Sequence, residues 1–153
     1  MKKRTPEGEA LTALILETFR LNGALLAAGN EITKPYGMTS ARWQVMGAID
    51  LTGQPITVSE IARRMGLTRQ AVQRIVNDLE QLGMISPKPN PDHKTASLIA
   101  ITAKGQEVMA KINEAQAEWV NDLAKNSPEK ELQKAFKTLE TIRETLNQNT
   151  KEQ

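Results

Sequence analysis

The chain of 153 residues has no cysteine, a single histidine and few aromatic residues, and each shortage excludes a class of site. Without cysteine there can be no disulfide framework, no thiolate metal site and no thiol-based redox sensor. One histidine gives no basis for a multi-histidine metal centre, so we expect neither a metal nor a cofactor. Because aromatic residues make up only 3% of the chain, we expect a helical core of leucine, isoleucine, alanine and methionine.

Long apolar runs are also missing. No continuous segment approaches the roughly 20 apolar residues that a membrane-spanning helix needs. The basic start Met1-Lys2-Lys3-Arg4 is not followed directly by the apolar region of a signal peptide. We therefore expect a cytoplasmic protein that has no membrane partner.

Patterns that indicate an enzyme are equally scarce. No pair of carboxylates has a catalytic spacing, and no glycine-rich loop is present to bind phosphate. His93 lies beside Asp92, but no nucleophile is placed for it to activate. The sequence predicts a protein without catalytic residues.

Charge is distributed unevenly although the net charge is only +2. Residues 57–104 hold seven Lys/Arg and four Asp/Glu, which gives +3, whereas residues 1–56 hold six and five and residues 105–153 hold seven and nine. The positive excess therefore lies in the middle of the chain, where it would favour contact with phosphates.

Two short helices joined by a tight turn are predicted between Thr57 and Gly83. Thr57 and Glu60 have the spacing of a capping box at the start of the first helix. Gly66 suits the positive φ of the turn. Thr68 is a favourable N-cap for the second helix. This layout is typical of a helix-turn-helix, which places its second helix in the major groove of DNA.

The second helix has two distinct faces. Leu67 is expected to be an apolar plug between the helices. The apolar residues of the second helix recur at three and four: Ala71, Val72, Ile75, Val76 and Leu79. Polar and basic residues fall on the other side: Arg69, Gln70, Gln73, Arg74 and Asn77.

A hairpin is predicted after these helices. Its strands are 84–88 and 97–101, and the loop between them is rich in turn formers. Pro87 and Pro89 would weaken a central strand, so we expect a small two-stranded edge feature. A helix-turn-helix followed by such a hairpin is a winged helix.

Further helices flank this lobe. The first runs from about Pro6 to Ala28 and is expected to end at Gly29-Asn30. Another runs from an N-cap at Thr39 to about Leu51. A long helix follows Thr102, and Ser127-Pro128 begins the last one. The predicted fold is mainly α with a small β-hairpin wing.

The terminal helices have apolar faces that one chain can cover only in part. A two-fold homodimer is the economical solution, and a monomeric bundle around the winged helix is the alternative. The candidate dimerisation residues are Leu11, Leu14, Ile15, Trp119, Leu132, Phe136, Leu139, Ile142 and Leu146.

The ordered series of motifs resembles the MarR family of transcription regulators over nearly the whole chain. The segments that carry the resemblance are 38–45, 58–62, 67–72, 79–85, 90–94 and 101–105. The resemblance implies one domain over residues 1–153, with a DNA-binding lobe at about 39–101. Residues of about 6–30 and 102–148 would then form the dimerisation helices.

The predicted function is a ligand-responsive repressor that recognises a palindromic operator in double-stranded DNA as a homodimer. Arginine can bind guanine and glutamine can bind adenine, while hydroxyls and helix N-termini suit phosphates. The candidate DNA contacts are Thr57, Ser59, Thr68, Arg69, Gln70, Gln73, Arg74, Asn77, Lys88, His93, Lys94 and Thr95.

A small-molecule effector is implied by the family, whose members bind ligands where the dimerisation helices meet the winged-helix lobe. The candidate residues are Arg20, Tyr36, Arg42 and Trp43, although a tryptophan in such a position is more often a core residue than a pocket residue. Their charge and stacking capacity suggest an aromatic or phenolic acid. Ligand binding would relieve repression by disfavouring the DNA-compatible spacing of the lobes.

Two alternative functions are consistent with the sequence. An effector-free regulator and a winged-helix scaffold for protein interaction would both have these helices, and the sequence does not distinguish a repressor from an activator.

The wing departs from the pattern of the resembled family. Members of that family commonly carry two arginines directly after the position of His93. This chain has Lys94 and Thr95 there, so we expect a weaker contribution from the wing.

Overall fold

The computed structural model describes residues 3–151, with side chains to residue 149. The chain divides into two compact units, Met1–Asn113 and Glu114–Gln153. The helices and strands confirm the predicted mainly α fold with a small β wing. In chain order they are α1 (Pro6–Thr33), a 3-10 helix (Lys34–Tyr36), α2 (Ser40–Asp50), β1 (Ile56–Thr57), α3 (Val58–Met65), α4 (Arg69–Gln81), β2 (Ile85–Lys88), β3 (Leu98–Ile101), α5 (Ala103–Ala124) and α6 (Glu129–Lys151).

Helix α1 is longer than predicted, and Gly29 does not end it. Gly29 is buried inside the helix, where a Cβ atom would come 2.6 Å from the Ser40 hydroxyl oxygen. The Asn30 side-chain oxygen accepts a hydrogen bond of 2.8 Å from the Ser40 amide. The glycine therefore permits close packing of α2 on α1, and the prediction that Gly29-Asn30 would be a stop signal was wrong because this packing is non-local.

The same helix corrects the expectation about apolar segments. The stretch Pro6–Tyr36 is long and apolar enough to cross a membrane by length and composition, although charged residues interrupt it. None of its most apolar part is buried within the chain. Phe19 is 70% exposed, and Leu16 and Leu21 are each 50% exposed. An exposed apolar face as large as that of α1 is typical of a surface that contacts another protein or a membrane.

The core of the first unit lies among α2, α3, α4, the strands and the start of α5. Helix α2 begins at the predicted cap, because the Thr39 hydroxyl accepts a hydrogen bond from the Arg42 amide at 3.2 Å. The fully buried large side chains are aliphatic or methionine, as the composition predicts, apart from Thr33: Met46, Ile61, Leu79, Ile112, Val45 and Val72.

The sheet has three strands in the order β1-β3-β2, all antiparallel. The two predicted strands are confirmed, at Ile85–Lys88 and Leu98–Ile101. The two-residue strand β1 was missed, because a pair of residues has no measurable periodicity and its partner lies far along the chain. Ile56 pairs with Ile99 and Thr57 with Leu98, so the sheet joins the start of α3 to the base of the wing.

The first turn of α5 is packed against the turn between α4 and β2. The Thr102 hydroxyl caps α5 by accepting from the Gly105 amide at 3.1 Å, and it donates to the Gly83 carbonyl oxygen at 2.7 Å. Lys104 Nζ donates to the Leu82 carbonyl oxygen at 2.8 Å. A Cβ on Gly105 would overlap the Met84 carbonyl oxygen. These contacts fix the end of α4 relative to the wing.

The second unit contains the end of α5 and helix α6. The predicted break at Ser127-Pro128 is confirmed, because α5 ends at Ala124 and α6 begins at Glu129. The apolar residues of α6 recur at three and four, and several are well exposed in the single chain: Leu132 at 50%, Phe136 at 64%, Leu139 at 40% and Leu146 at 60%.

Candidate nucleic-acid interface

Helices α3 and α4 form the predicted helix-turn-helix. The Thr57 hydroxyl accepts from the Glu60 amide at 3.2 Å, and the Thr68 hydroxyl accepts from the Ala71 amide at 3.2 Å. Gly66 has φ +64° and ends α3 in the left-handed region, where other residues are strained. The short turn follows from these three local signals.

Two details of this motif differ from the prediction. The Glu60 carboxylate does not complete the capping box but pairs with Arg64 at 2.8 Å, because the residue one helical turn later is in easier reach. Leu67 is 43% exposed rather than a buried plug. Ile61 on α3 and Val72 on α4 are instead fully buried in the core.

The outer face of α4 is polar and exposed. Its inner face carries Val72, Val76 and Leu79, all buried. At 100° per residue, Gln70, Arg74 and Asn77 lie opposite this buried stripe, and all three are exposed. The face therefore presents a guanidinium and two amides, the groups suited to reading base edges in a major groove.

One flank of α4 borders an open cleft of about 240 Å³. Arg69, Gln73 and Glu80 line it from α4. The start of α3 and the wing supply hydroxyl groups to the same cleft: Thr57, Ser59, Thr95 and Ser97. Arg69 and the hydroxyls are suited to phosphate oxygens, whereas Glu80 opposes them. The cleft thus brings three sequence-predicted regions together.

Gln73 is partly engaged within the helix. Its amide nitrogen donates to the Asn77 side-chain oxygen at 2.8 Å. This hydrogen bond orients the side-chain amides of Gln73 and Asn77. A base contact by either residue would therefore involve both amides or require the hydrogen bond to break.

The loop of the wing is organised by Asn90, which is not among the candidate DNA contacts. Its side-chain nitrogen donates to the Ala96 carbonyl oxygen at 2.8 Å, and its side-chain oxygen accepts from the Asp92 amide at 3.0 Å. An asparagine that bonds two residues onward is a recognised turn signal. His93 and Lys94 follow, and both are exposed.

The wing base carries one further predicted contact. Lys88 ends β2, opposite Leu98, and is exposed. Lys88, His93, Lys94 and Thr95 therefore lie on or beside one hairpin, next to the cleft that borders α4. The structure places the predicted DNA-contacting residues on one winged helix-turn-helix, and all but half-buried Thr57 are exposed.

Comparison with known proteins identifies this architecture. The model of the MarR family matches residues 36–94, which include α2, the helix-turn-helix and most of the wing. An uncharacterised protein of Mycobacterium tuberculosis is 36% identical over 116 residues, covering 76% of this chain and 80% of the relative. The chain belongs to the MarR family. It is accordingly a DNA-binding transcription regulator and not an enzyme.

Further proteins resemble this chain at lower sequence identity, and the solved structures among them share its fold. The regulator BilQ of Clostridioides difficile is 23% identical and covers 72% of this chain and 74% of the relative. A MarR/EmrR-family regulator from Acinetobacter matches with a TM-score of 0.80 at 22% identity, over 90% of this chain and 96% of that one. Escherichia coli MarR, solved as a mutant with operator DNA, matches with a TM-score of 0.76 at 21% identity, over 87% and 95%.

The four candidate effector residues of this MarR-family chain have different surroundings. Arg20 is exposed on α1 and pairs with Glu17 at 3.0 Å. Tyr36 and Trp43 are half-buried and pack against the core of the first unit. Arg42 Nη2 lies 3.2 Å from Asp78 Oδ2, on α4. Of the four, Arg42 thus has its charge directed to α4.

The candidate dimerisation residues divide between two regions. Leu11 and Ile15, 42% and 40% exposed, lie on α1 with half-buried Leu14. Half-buried Trp119 is on α5, and Ile142 is half-buried among the exposed apolar residues of α6. Among residues 3–149, no group of three metal-binding side chains occurs.

Proposed function

We propose that this protein is a homodimeric regulator that reads a palindromic operator in double-stranded DNA with α4. The observation that carries the proposal is the exposed polar face of α4 next to a cleft lined with hydroxyls and the wing. A helix of this kind fits the major groove, while the flanking hydroxyls and helix N-termini suit the sugar-phosphate backbone.

Base recognition rests with the centre of α4. Arg74 can donate two hydrogen bonds to guanine, and Gln70 can donate to and accept from adenine. Each good bidentate contact would discriminate by about 1–3 kcal/mol. Thr57 and Thr68 use their oxygens to cap helices, and each hydroxyl hydrogen is available for a phosphate.

A second copy of the chain is the proposed cover for the apolar terminal helices. The exposed apolar side chains of α1 and α6 support this proposal, because large exposed apolar patches mark interaction surfaces. A two-fold dimer would present two copies of α4, and their half-sites would lie about 34 Å apart, one turn of DNA. The two-fold symmetry of the protein then requires a palindromic site.

We propose that the protein represses transcription, because a dimer bound over a promoter excludes the polymerase. We also propose a cytoplasmic location, where chromosomal DNA is accessible. An aromatic or phenolic acid near Trp43 is the proposed effector, because the half-buried indole offers a surface for stacking. The effector-free regulator remains the alternative.

Three measurements on the wild-type protein test this function. Sedimentation should give a dimer, and selection from random duplex DNA should enrich an inverted repeat with half-sites about 10 base pairs apart, centre to centre. Binding to the selected site should weaken steeply with salt. A folded monomer would contradict the dimer, and failure to enrich any sequence would favour the protein-interaction scaffold.

A further inference from the structure

One ion pair joins the recognition helix to the rest of the lobe. Among ion pairs between described residues, Arg42–Asp78 is the one that links two helices, whereas the others connect residues three or four apart along the chain. Arg42 is in the first turn of α2, and its side chain is 28% exposed. Asp78 is in the last turn of α4, and its side chain is 54% exposed.

Each partner is at the unfavourable end of its own helix. The N-terminus of a helix carries partial positive charge and favours acidic residues, yet α2 has no acidic residue in its first turn and holds Arg42 there. The C-terminus favours cations, yet α4 has no basic residue in its last turn and holds Asp78 there. Local helix stability therefore explains neither charge, but their mutual attraction explains both.

Asp78 also lies close to the surface proposed to meet DNA. It follows Asn77 directly and comes one helical turn after Arg74, on the flank of α4 that faces α2. A carboxylate at this position would repel nearby phosphates if it were not compensated. The Arg42 guanidinium supplies that compensation from outside the recognition helix.

We propose that Arg42 is a positioning residue for DNA binding. From α2 it neutralises the Asp78 carboxylate on α4, and it does so without touching DNA. The inference rests on the proposed role of α4 as the recognition helix. It gives Arg42 a function that is distinct from an effector contact.

A double-mutant cycle tests this inference, because charge and structure predict different patterns. Arg42→Gln leaves Asp78 uncompensated, so operator affinity should fall about tenfold at 50 mM salt and less than about threefold at 300 mM, where screening is stronger. Asp78→Asn leaves Arg42 unpaired but positive, so affinity should equal or exceed that of the wild type. Arg42→Lys should keep most of the affinity.

The double variant Arg42→Gln/Asp78→Asn is the decisive measurement. It restores the local charge to that of the wild type, and its affinity should return to within about twofold of the wild type. Both single variants lose the same ion pair, so a purely structural role would lower thermal stability and DNA affinity in both. The inference is supported if Arg42→Gln and Asp78→Asn change DNA affinity in opposite directions while they lower the melting temperature equally.

Two results would overturn it. A double variant as weak as Arg42→Gln would mean that Arg42 contacts DNA itself or is needed for the fold, and an unaltered Arg42→Gln would mean that Asp78 needs no compensation. Lys111→Gln is the matched control, because it removes one positive charge from an exposed pair with Glu107 on α5 and should change affinity little.

The assay also separates this inference from the proposed function. The cycle is measured on the selected duplex and on a random duplex, since charge compensation acts on both. If the wild-type protein shows no sequence preference, the proposed function is refuted, but the double-mutant cycle on random DNA still decides the role of Arg42. If the wild type prefers the selected duplex and none of the variants changes DNA affinity, only the inference about Arg42 is refuted.

Discussion

Replacing Gly105 with alanine should destabilise the protein although the residue lies inside a helix. In an open helical position this change stabilises by up to about 1 kcal/mol, because glycine has more backbone freedom to lose. Here the new Cβ would overlap the Met84 carbonyl oxygen and lie 2.8 Å from Ile101 Cγ2. The obstacle is backbone, which cannot rotate away as a side chain would. Relief requires the α4–β2 turn to move by about 1 Å, and overpacking of this kind costs about 1–3 kcal/mol.

Thermal unfolding at fixed protein concentration measures the effect. A loss of 1–3 kcal/mol corresponds to a fall of very roughly 2–12 °C in a chain of this size. The matched control is Gly47→Ala on α2, because a Cβ there has nothing within 4 Å, and this variant should be as stable as the wild type or more so. DNA affinity should fall with Gly105→Ala because Met84 leads into the wing. A Gly105→Ala protein as stable as Gly47→Ala would refute the packing argument.

The remaining predictions concern DNA binding and assembly. Replacing both Leu139 and Ile142 with glutamate should abolish the dimer and DNA binding together, since each change buries an unpaired charge. If this variant still sediments as a dimer, the prediction is wrong. Arg74→Ala should cost about 1–3 kcal/mol on the selected site and relax preference at one base pair, whereas equal losses on random DNA would exclude base reading. Arginine at both Lys94 and Thr95 should tighten binding most on sites with A·T-rich flanks, and Lys94→Ala should cost little; abolished binding by folded Lys94→Ala would make the wing a principal contact. Tryptophan fluorescence and operator affinity that both ignore a panel of aromatic acids would favour the effector-free regulator.

Local signals made much of this fold predictable. Thr39, Thr57, Thr68 and Thr102 each cap a helix as expected, because a cap depends on an amide only two or three residues onward. The positive φ of Gly66 has the same local origin. The inner and outer faces of α4 followed from its 3.6-residue period. These features need no knowledge of where distant segments lie.

Several features that the sequence did not predict involve distant partners. Gly29 looks like a helix terminator until Ser40 is found against it. Strand β1 exists through Ile99, which is 43 residues away from Ile56. The pair of Arg42 and Asp78 joins residues 36 apart. Sequence patterns identify which residues are polar or exposed, but only the packed chain shows which charges are compensated, and that information changed the interpretation of Arg42.

Thr57 has two roles, since it ends β1 opposite Leu98 and its hydroxyl caps α3. Separation of the wing from β1 would therefore release the residue that holds the first turn of α3. We expect the amides of β1, β3 and the first turn of α3 to exchange hydrogen with solvent at one common rate, as a single cooperative opening. Fluctuations of the wing would then be transmitted to the motif itself, and DNA that clamps the wing would slow exchange at the start of α3.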